Sequence, residues 1–193
     1  MIKQEVLQSQ LNKSRKDKFL LILTLPPALK EVNKTGMTER QINALSVDTL
    51  QFSIYGDILP KVEIPAVVAT YANQSYKLSS YTRPPYEDIT VNFTIDNKFN
   101  NYWVIYKWLD VLNDDKRSYH DAKNITDGKI QPLNYQANFT LLGLDEFDTP
   151  IIKFIYTQAF PVSLDGVNYS YRDAGEIESS FTFAFSQFLA EPL

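Results

Sequence analysis

A single histidine, His120, stands in a chain with no cysteine. Thiol nucleophiles, thiolate metal sites, disulfides and multi-histidine metal centres are all excluded by that composition. His120 lies among Tyr119, Asp121 and Lys123. Those are the neighbours of an exposed loop histidine, not of a base beside a nucleophile. Asp110, Asp114, Asp115 and Asp121 have the oxygen chemistry of a hard-cation site, and helical spacing puts Asp110 and Asp114 on one face. Lys116, Arg117 and Lys123 are interleaved with them, and the regular oxygen pattern around a glycine turn is missing. Asp145, Glu146 and Asp148 come nearest to the paired carboxylates of a glycosidase. Placed between Gly143 and Pro150, they read as turn residues. Every glycine is isolated, so no phosphate-cradling loop is present. The expectation is a non-enzyme with no catalytic residue, cofactor or metal.

The elements that would have to position any site are mostly short strands. The most informative stretch is Tyr86–Asn113. Val91, Phe93 and Ile95 alternate with Thr90, Asn92 and Thr94, the period of a strand with one buried face. At Asp96-Asn97 the period changes. Phe99, Tyr102, Ile105, Tyr106, Leu109 and Leu112 recur at helical spacing, with Asp96 or Asn97 as the cap. Tyr102, Ile105, Tyr106 and Leu109 are the expected packing face of a helix over Phe99–Asn113. Lys107 and Asp110 then lie on its outer face.

Further strands are expected at Phe19–Leu25, Thr49–Tyr55, Ile89–Ile95, Tyr135–Leu142, Pro150–Thr157, Phe160–Leu164, Val167–Tyr171 and Ser179–Phe188. Ala66–Tyr71 and Ser75–Ser80 form a hairpin around Ala72-Asn73-Gln74. Thr38–Leu45 is a short helix candidate, with Thr38 and Gln41 spaced as a capping box. Pro26–Val47 and Asp114–Pro132 are long connections, a length that usually means function or mobility. The fold class is therefore mainly β: an antiparallel sandwich or barrel with one flanking amphipathic helix and long loops. Residues 1–18 read as a polar, locally basic arm and 19–193 as one domain.

At 193 residues, 19 basic side chains against 23 acidic ones give a formal charge of −4. That is no electrostatic footprint for gripping nucleic acid. No apolar run reaches the ~20 residues of a spanning helix, and no secretory leader or membrane anchor is read. Twelve tyrosines and two tryptophans leave a carbohydrate-binding sandwich as an alternative, although aromatics also suit half-buried strands and interfaces.

Three stretches, in this order, resemble the tail tube proteins of contractile-tailed bacteriophages. They are Leu50–Gly56 with Pro60–Ala66, the Tyr86–Asn113 strand-to-helix segment, and Ile155–Leu164 with Val167–Ser170 and the closing Phe181–Phe188 strand. The family is related to the inner-tube proteins of phage-derived contractile machines. The resemblance implies a structural virion subunit that forms rings, usually sixfold, which stack into a tube for DNA ejection. The implied partners are further copies of the chain, sheath and baseplate proteins, and tape measure protein and DNA in the lumen without specific binding. The implied location is the virion tail, assembled in the bacterial host cytoplasm. A baseplate tube-initiator, or the inner tube of a secretion or bacteriocin machine, is the alternative with the same fold. Within this reading Glu176 and Glu178 are candidate lumen charges that would repel phosphate. The Pro26–Val47 loop is a candidate bridge between rings.

Overall fold

The computed structural model describes residues 14–30, 37–46, 49–112, 135–172 and 175–193. His120, Asp114, Asp115, Asp121 and the Asp114–Pro132 connection lie outside the described residues, as do residues 1–13 of the expected arm.

Among the described residues, ten strands and three helices run in the order β1 (Phe19–Thr24), α1 (Pro27–Lys30), α2 (Glu39–Ser46), β2 (Thr49–Phe52), β3 (Ile54–Tyr55), β4 (Ala66–Tyr71), β5 (Gln74–Ser79), β6 (Ile89–Thr94), α3 (Asn100–Leu112), β7 (Ala137–Leu144), β8 (Pro150–Leu164), β9 (Glu178–Ala184) and β10 (Gln187–Pro192). The main sheet has the strand order β2-β1-β7-β8-β9-β6-β3, every pairing antiparallel. Its two ends, β2 and β3, are consecutive pieces of one segment parted at Ser53. The sheet therefore curls until it meets itself, and the Ser53 carbonyl accepts a 3.1 Å hydrogen bond from the Thr94 amide at the seam. Curling of this kind leaves few strand edges open.

β8 is the hinge of the architecture. Its first half lies between β7 and β10, and its second half pairs with β9. The two regions expected as separate strands, Pro150–Thr157 and Phe160–Leu164, are thus one strand. It is kinked at Gln158, whose φ is +54°, and the register slips between Pro161 and Ser163. A bulge there tightens the local twist. The expected Ser179–Phe188 strand breaks at Phe185-Ser186, and β10 carries the pairing on to Pro192. Val167–Tyr171 is not a strand; Val167 instead packs against the core from a loop.

The barrel interior is aromatic. Phe93 meets Phe52 edge-on at 5.3 Å and Phe181 at 5.8 Å between ring centroids. Phe139 lies 5.0 Å from Phe183 and 5.9 Å from Trp108. The Trp108 indole N–H donates to the Tyr135 carbonyl at 2.9 Å. Leu29 of α1 and Leu45 of α2 join α3 in closing this core. The Thr38 and Gln41 capping box forms as spaced: the Gln41 amide donates to Thr38 Oγ1 at 3.4 Å, and the Thr38 amide to Gln41 Oε1 at 3.0 Å.

Tyr156 is fully buried, and its hydroxyl donates to the Ile58 carbonyl at 2.8 Å. Burial raises its pKa above the ordinary tyrosine value. A raised value means the neutral form is favoured in the fold. The associated stability is complete below the unfolded-chain value of about 10 and is lost as pH climbs beyond it. Tyr156→Phe leaves the Ile58 carbonyl without this donor and should cost about 1–3 kcal/mol by urea denaturation. The variant should also lose less stability than the parent as pH passes about 10.

Candidate assembly surfaces and channel wall

The junction between β6 and α3 fixes the helix on the barrel. Asp96 Oδ1 accepts from the Lys98 and Asn100 amides at 2.9 and 2.8 Å, so Asp96, not Asn97, supplies the cap. Asn101, buried and missed by apolar periodicity, donates to the Thr94 carbonyl at 2.9 Å and accepts from the Asp96 and Tyr102 amides. The face of α3 that is buried comprises Asn101, Val104, Ile105 and Trp108. Ile105 thus lies in the core, and Tyr102 and Leu109 are half-buried against it. Tyr106, expected on the packing face, is 49% exposed. The buried stripe is turned relative to the expected one. Lys107 and Asp110 are not free for a partner: they form a part-buried ion pair with each other.

The turn residues Asp145, Glu146 and Asp148 form no acid pair. Asp145 Oδ1 accepts from the Phe147 and Thr149 amides, each at 2.8 Å, and Asp148 adopts a φ of +62°. Lys18 pairs with Asp148 at 2.6 Å across the strand ends. Among the described residues no acidic, histidine or cysteine cluster suits a metal, and no helix is long and apolar enough to cross a membrane.

The outward side of the β3–β6–β9 region is hydroxylic. β6 presents Thr90, Asn92 and Thr94 there, and β9 presents Glu178, Ser180 and Thr182. The Thr90 and Thr182 hydroxyls meet at 2.9 Å. Ser180 donates to the Asp165 carboxylate. Tyr55 donates to Glu178 at 2.6 Å, and that bond, with some burial and the carboxylate's charge, holds the Tyr55 hydroxyl above its usual pKa. Gly56 follows at a φ of +118°, and a side chain there would crowd the Asn92 amide at 3.2 Å. Glu176 is exposed at the end of this face, beside Ser53, Thr94 and Ile177. β6 and β9 turn no lysine or arginine outward, and Glu178 is their outward charge; Lys61 and Arg83 border the Thr90 and Asn92 end of the face.

Two other surfaces have the opposite character. Among the described residues, the hairpin β4–β5 pairs only with itself and makes no extended contact with the barrel. Its two-residue turn is Ala72-Asn73, both at positive φ (49° and 63°), the turn geometry that matches hairpin twist. In its register Val67 faces Leu78 and Ala69 faces Tyr76, with Tyr71 next on the same side. That side is apolar apart from Gln74, the partner of Tyr71, and Val67, Tyr71, Tyr76 and Leu78 are exposed. The other side carries Val68, Lys77, Thr70 and Ser75. The second surface is the outer face of β1–β7–β8–β10. Leu20 is aligned with Leu142, and Ile22 with Thr140, Ile155 and Leu189. Unlike their inward neighbours, these side chains are outside the core cluster.

A family model described as phage tail tube protein matches residues 14–191. No curated protein matches the chain. The fold is shared with the cryo-EM structure of the anti-feeding prophage tube-terminating cap, at 13% identity, a TM-score of 0.59 and full coverage of both chains, 100% and 100%. It is also shared with a chain of the sixfold-symmetrised anti-feeding prophage baseplate, at 9% identity and a TM-score of 0.57, over 93% of this chain and 95% of that one. A chain of the sheath–tube complex of an extracellular contractile injection system, in its extended state, matches at 9% identity and a TM-score of 0.54, over 97% and 99%.

Proposed function

The chain belongs to the phage tail tube protein family, and from that membership we propose that its copies close into rings, sixfold in the usual case, and that the rings stack into a conduit for DNA. It is a structural subunit of a tail tube. The observation that carries the assembly reading is the hairpin β4–β5. A two-stranded hairpin is marginal on its own in water, and this one keeps an apolar side that no described residue of its own chain covers. A neighbouring copy is the natural cover. A repeated contact between unlike surfaces generates rings or filaments, not closed dimers.

The hydroxyl-rich face of β6 and β9 is the wall of the conduit in this reading. β6 and β9 offer phosphate no positive charge, and the carboxylates Glu176 and Glu178 repel it. The cargo is DNA, with tape measure protein before it, and neither is held specifically. Sheath and baseplate proteins are the outer and end partners, as the sheath–tube and baseplate relatives suggest. The site of action is the virion tail, assembled in the host cytoplasm. No catalytic step is assigned to the chain. Tyr102, Ile105 and Leu109 serve only to seat α3 on its own barrel. In the reading adopted for residues 1–18 and 19–193, an arm precedes one tube-forming domain.

In phage particles carrying Glu176→Lys with Glu178→Lys, DNA ejection should slow or stall while tails of normal length still form. Unchanged ejection would count against the wall assignment. Cap, baseplate and tube chains share this fold. A tube subunit polymerises on its own at high concentration, whereas a cap or initiator stops at one ring.

A further inference from the structure

We propose that the apolar side of β4–β5 seats on the outer face of β1–β7–β8 of a second copy, so that each subunit offers one donor hairpin and one acceptor face. The inference rests on the tube-subunit reading and assigns the contact within it. Both surfaces are on the same chain and both are mainly apolar: the hairpin side chains are exposed, and Leu20, Ile22, Leu142 and Ile155 of the acceptor are half-buried and outside the core cluster. On the hairpin, Val67, Ala69, Tyr71, Tyr76 and Leu78 share a side with no charged residue. On the acceptor, Leu20 and Leu142 are aligned neighbours, as are Ile22, Thr140 and Ile155. The nearest charges belong to Lys153 and Glu191, which neutralise each other across β8 and β10 at 3.6 Å. The lysine stem can then lie under an apolar partner with its head group paired. Lys77 points from the opposite side of the hairpin and stays in water.

The attachment of the hairpin favours reaching out over folding back. Between barrel and hairpin the two strands of chain carry Pro60 and Pro65 on one side and Pro84 and Pro85 on the other. Proline has no amide proton to extend a ladder. Among the described residues, the Ser80 amide bonding the Pro65 carbonyl at 3.0 Å, at the hairpin's foot, is what joins these connections by backbone. The hairpin thus stands clear of its own barrel. Because donor and acceptor are different surfaces, the contact is head-to-tail and propagates.

The absence of cysteine makes the test direct. Leu78→Cys and Ile155→Cys are made separately and together, and assembled protein is treated with a short bis-maleimide. The double variant should give a covalent ladder on a denaturing gel. An equal mixture of the two single variants should give cross-linked dimers and no higher species. Each single variant alone should run at one chain mass. Tyr76→Cys with Leu142→Cys repeats the experiment one row away on each surface, so a register offset does not decide the outcome. Two results would overturn the assignment: Leu78→Cys cross-linking to itself, which means hairpin against hairpin, or tubes visible by microscopy with no cross-link in either pair. In the latter case the tube reading survives. Protein that forms no rings or tubes at all sinks both.

Discussion

Replacing residues 66–79 by a short Gly-Ser turn leaves a folded barrel that no longer assembles. The hairpin β4–β5 contributes no strand to the main sheet and no side chain to the buried core. Its removal should therefore change monomer stability by no more than about 0.5 kcal/mol, the usual range for surface changes. Assembly should respond very differently. Val67, Tyr71, Tyr76 and Leu78 each expose roughly half or more of their surface in the isolated subunit. Covering such side chains yields about 1 kcal/mol each, half of the ~2 kcal/mol for full burial. Four of them amount to about 4 kcal/mol, or on the order of a thousandfold in the concentration at which subunits associate. Sedimentation velocity over a concentration series checks this. Assembly at the parent's concentration would mean that the hairpin is ornamental and that the account misplaces the contact.

The second large effect falls on the fold itself. Phe93→Ala should cost about 3–5 kcal/mol, the range for emptying a buried aromatic site. Phe93 is fully buried in β6, with the rings of Phe52 and Phe181 edge-on against it. Those two come from opposite ends of the chain, so a cavity there loosens the seam where the sheet meets itself. Against a total stability of typically about 5–15 kcal/mol, the loss is a large fraction and is read from the urea midpoint. A loss below about 1 kcal/mol would show that the interior repacks freely, contrary to the interlocked ring geometry. The two variants separate the layers of the account: one removes assembly and keeps the fold, the other weakens the fold from which everything projects.

Much of this architecture is local and therefore legible in the residues. Alternation at Val91, Phe93 and Ile95 marks β6, and those residues are buried. Thr38 and Gln41 announce a capping box that forms, and the hairpin follows from two alternating runs around a short turn. The orientation of α3 was not legible for a physical reason. Its sequence is apolar nearly all the way round, from Tyr102 through Leu112, so periodicity admits more than one stripe. What selects the buried one is Asn101, whose amide locks the first turn to the end of β6. Such a contact has no hydrophobic signature. The unity of β8 was hidden by Gln158, because a kink at positive φ interrupts alternation just as a loop would.

The candidate surfaces were legible in part. Glu176 and Glu178 stand out as carboxylates in a closing segment poor in charge. The Tyr55 partner of Glu178 is 123 residues away in sequence, and only the barrel seam brings them together. The neutral face of Thr90, Asn92, Ser180 and Thr182 arises from the antiparallel register of two distant strands, which no local pattern specifies. The acceptor face is of the same kind: Leu20, Leu142 and Ile155 become neighbours only through pairing.

The central claim is that one chain, by placing unlike unpartnered surfaces on a curled sheet, builds a hollow cylinder from identical copies. Negative-stain electron microscopy of the purified chain across a concentration series tests it most directly. The account requires annular particles with an open centre that stack into tubes as concentration rises. A compact single-copy particle at every concentration, without rings, would contradict it.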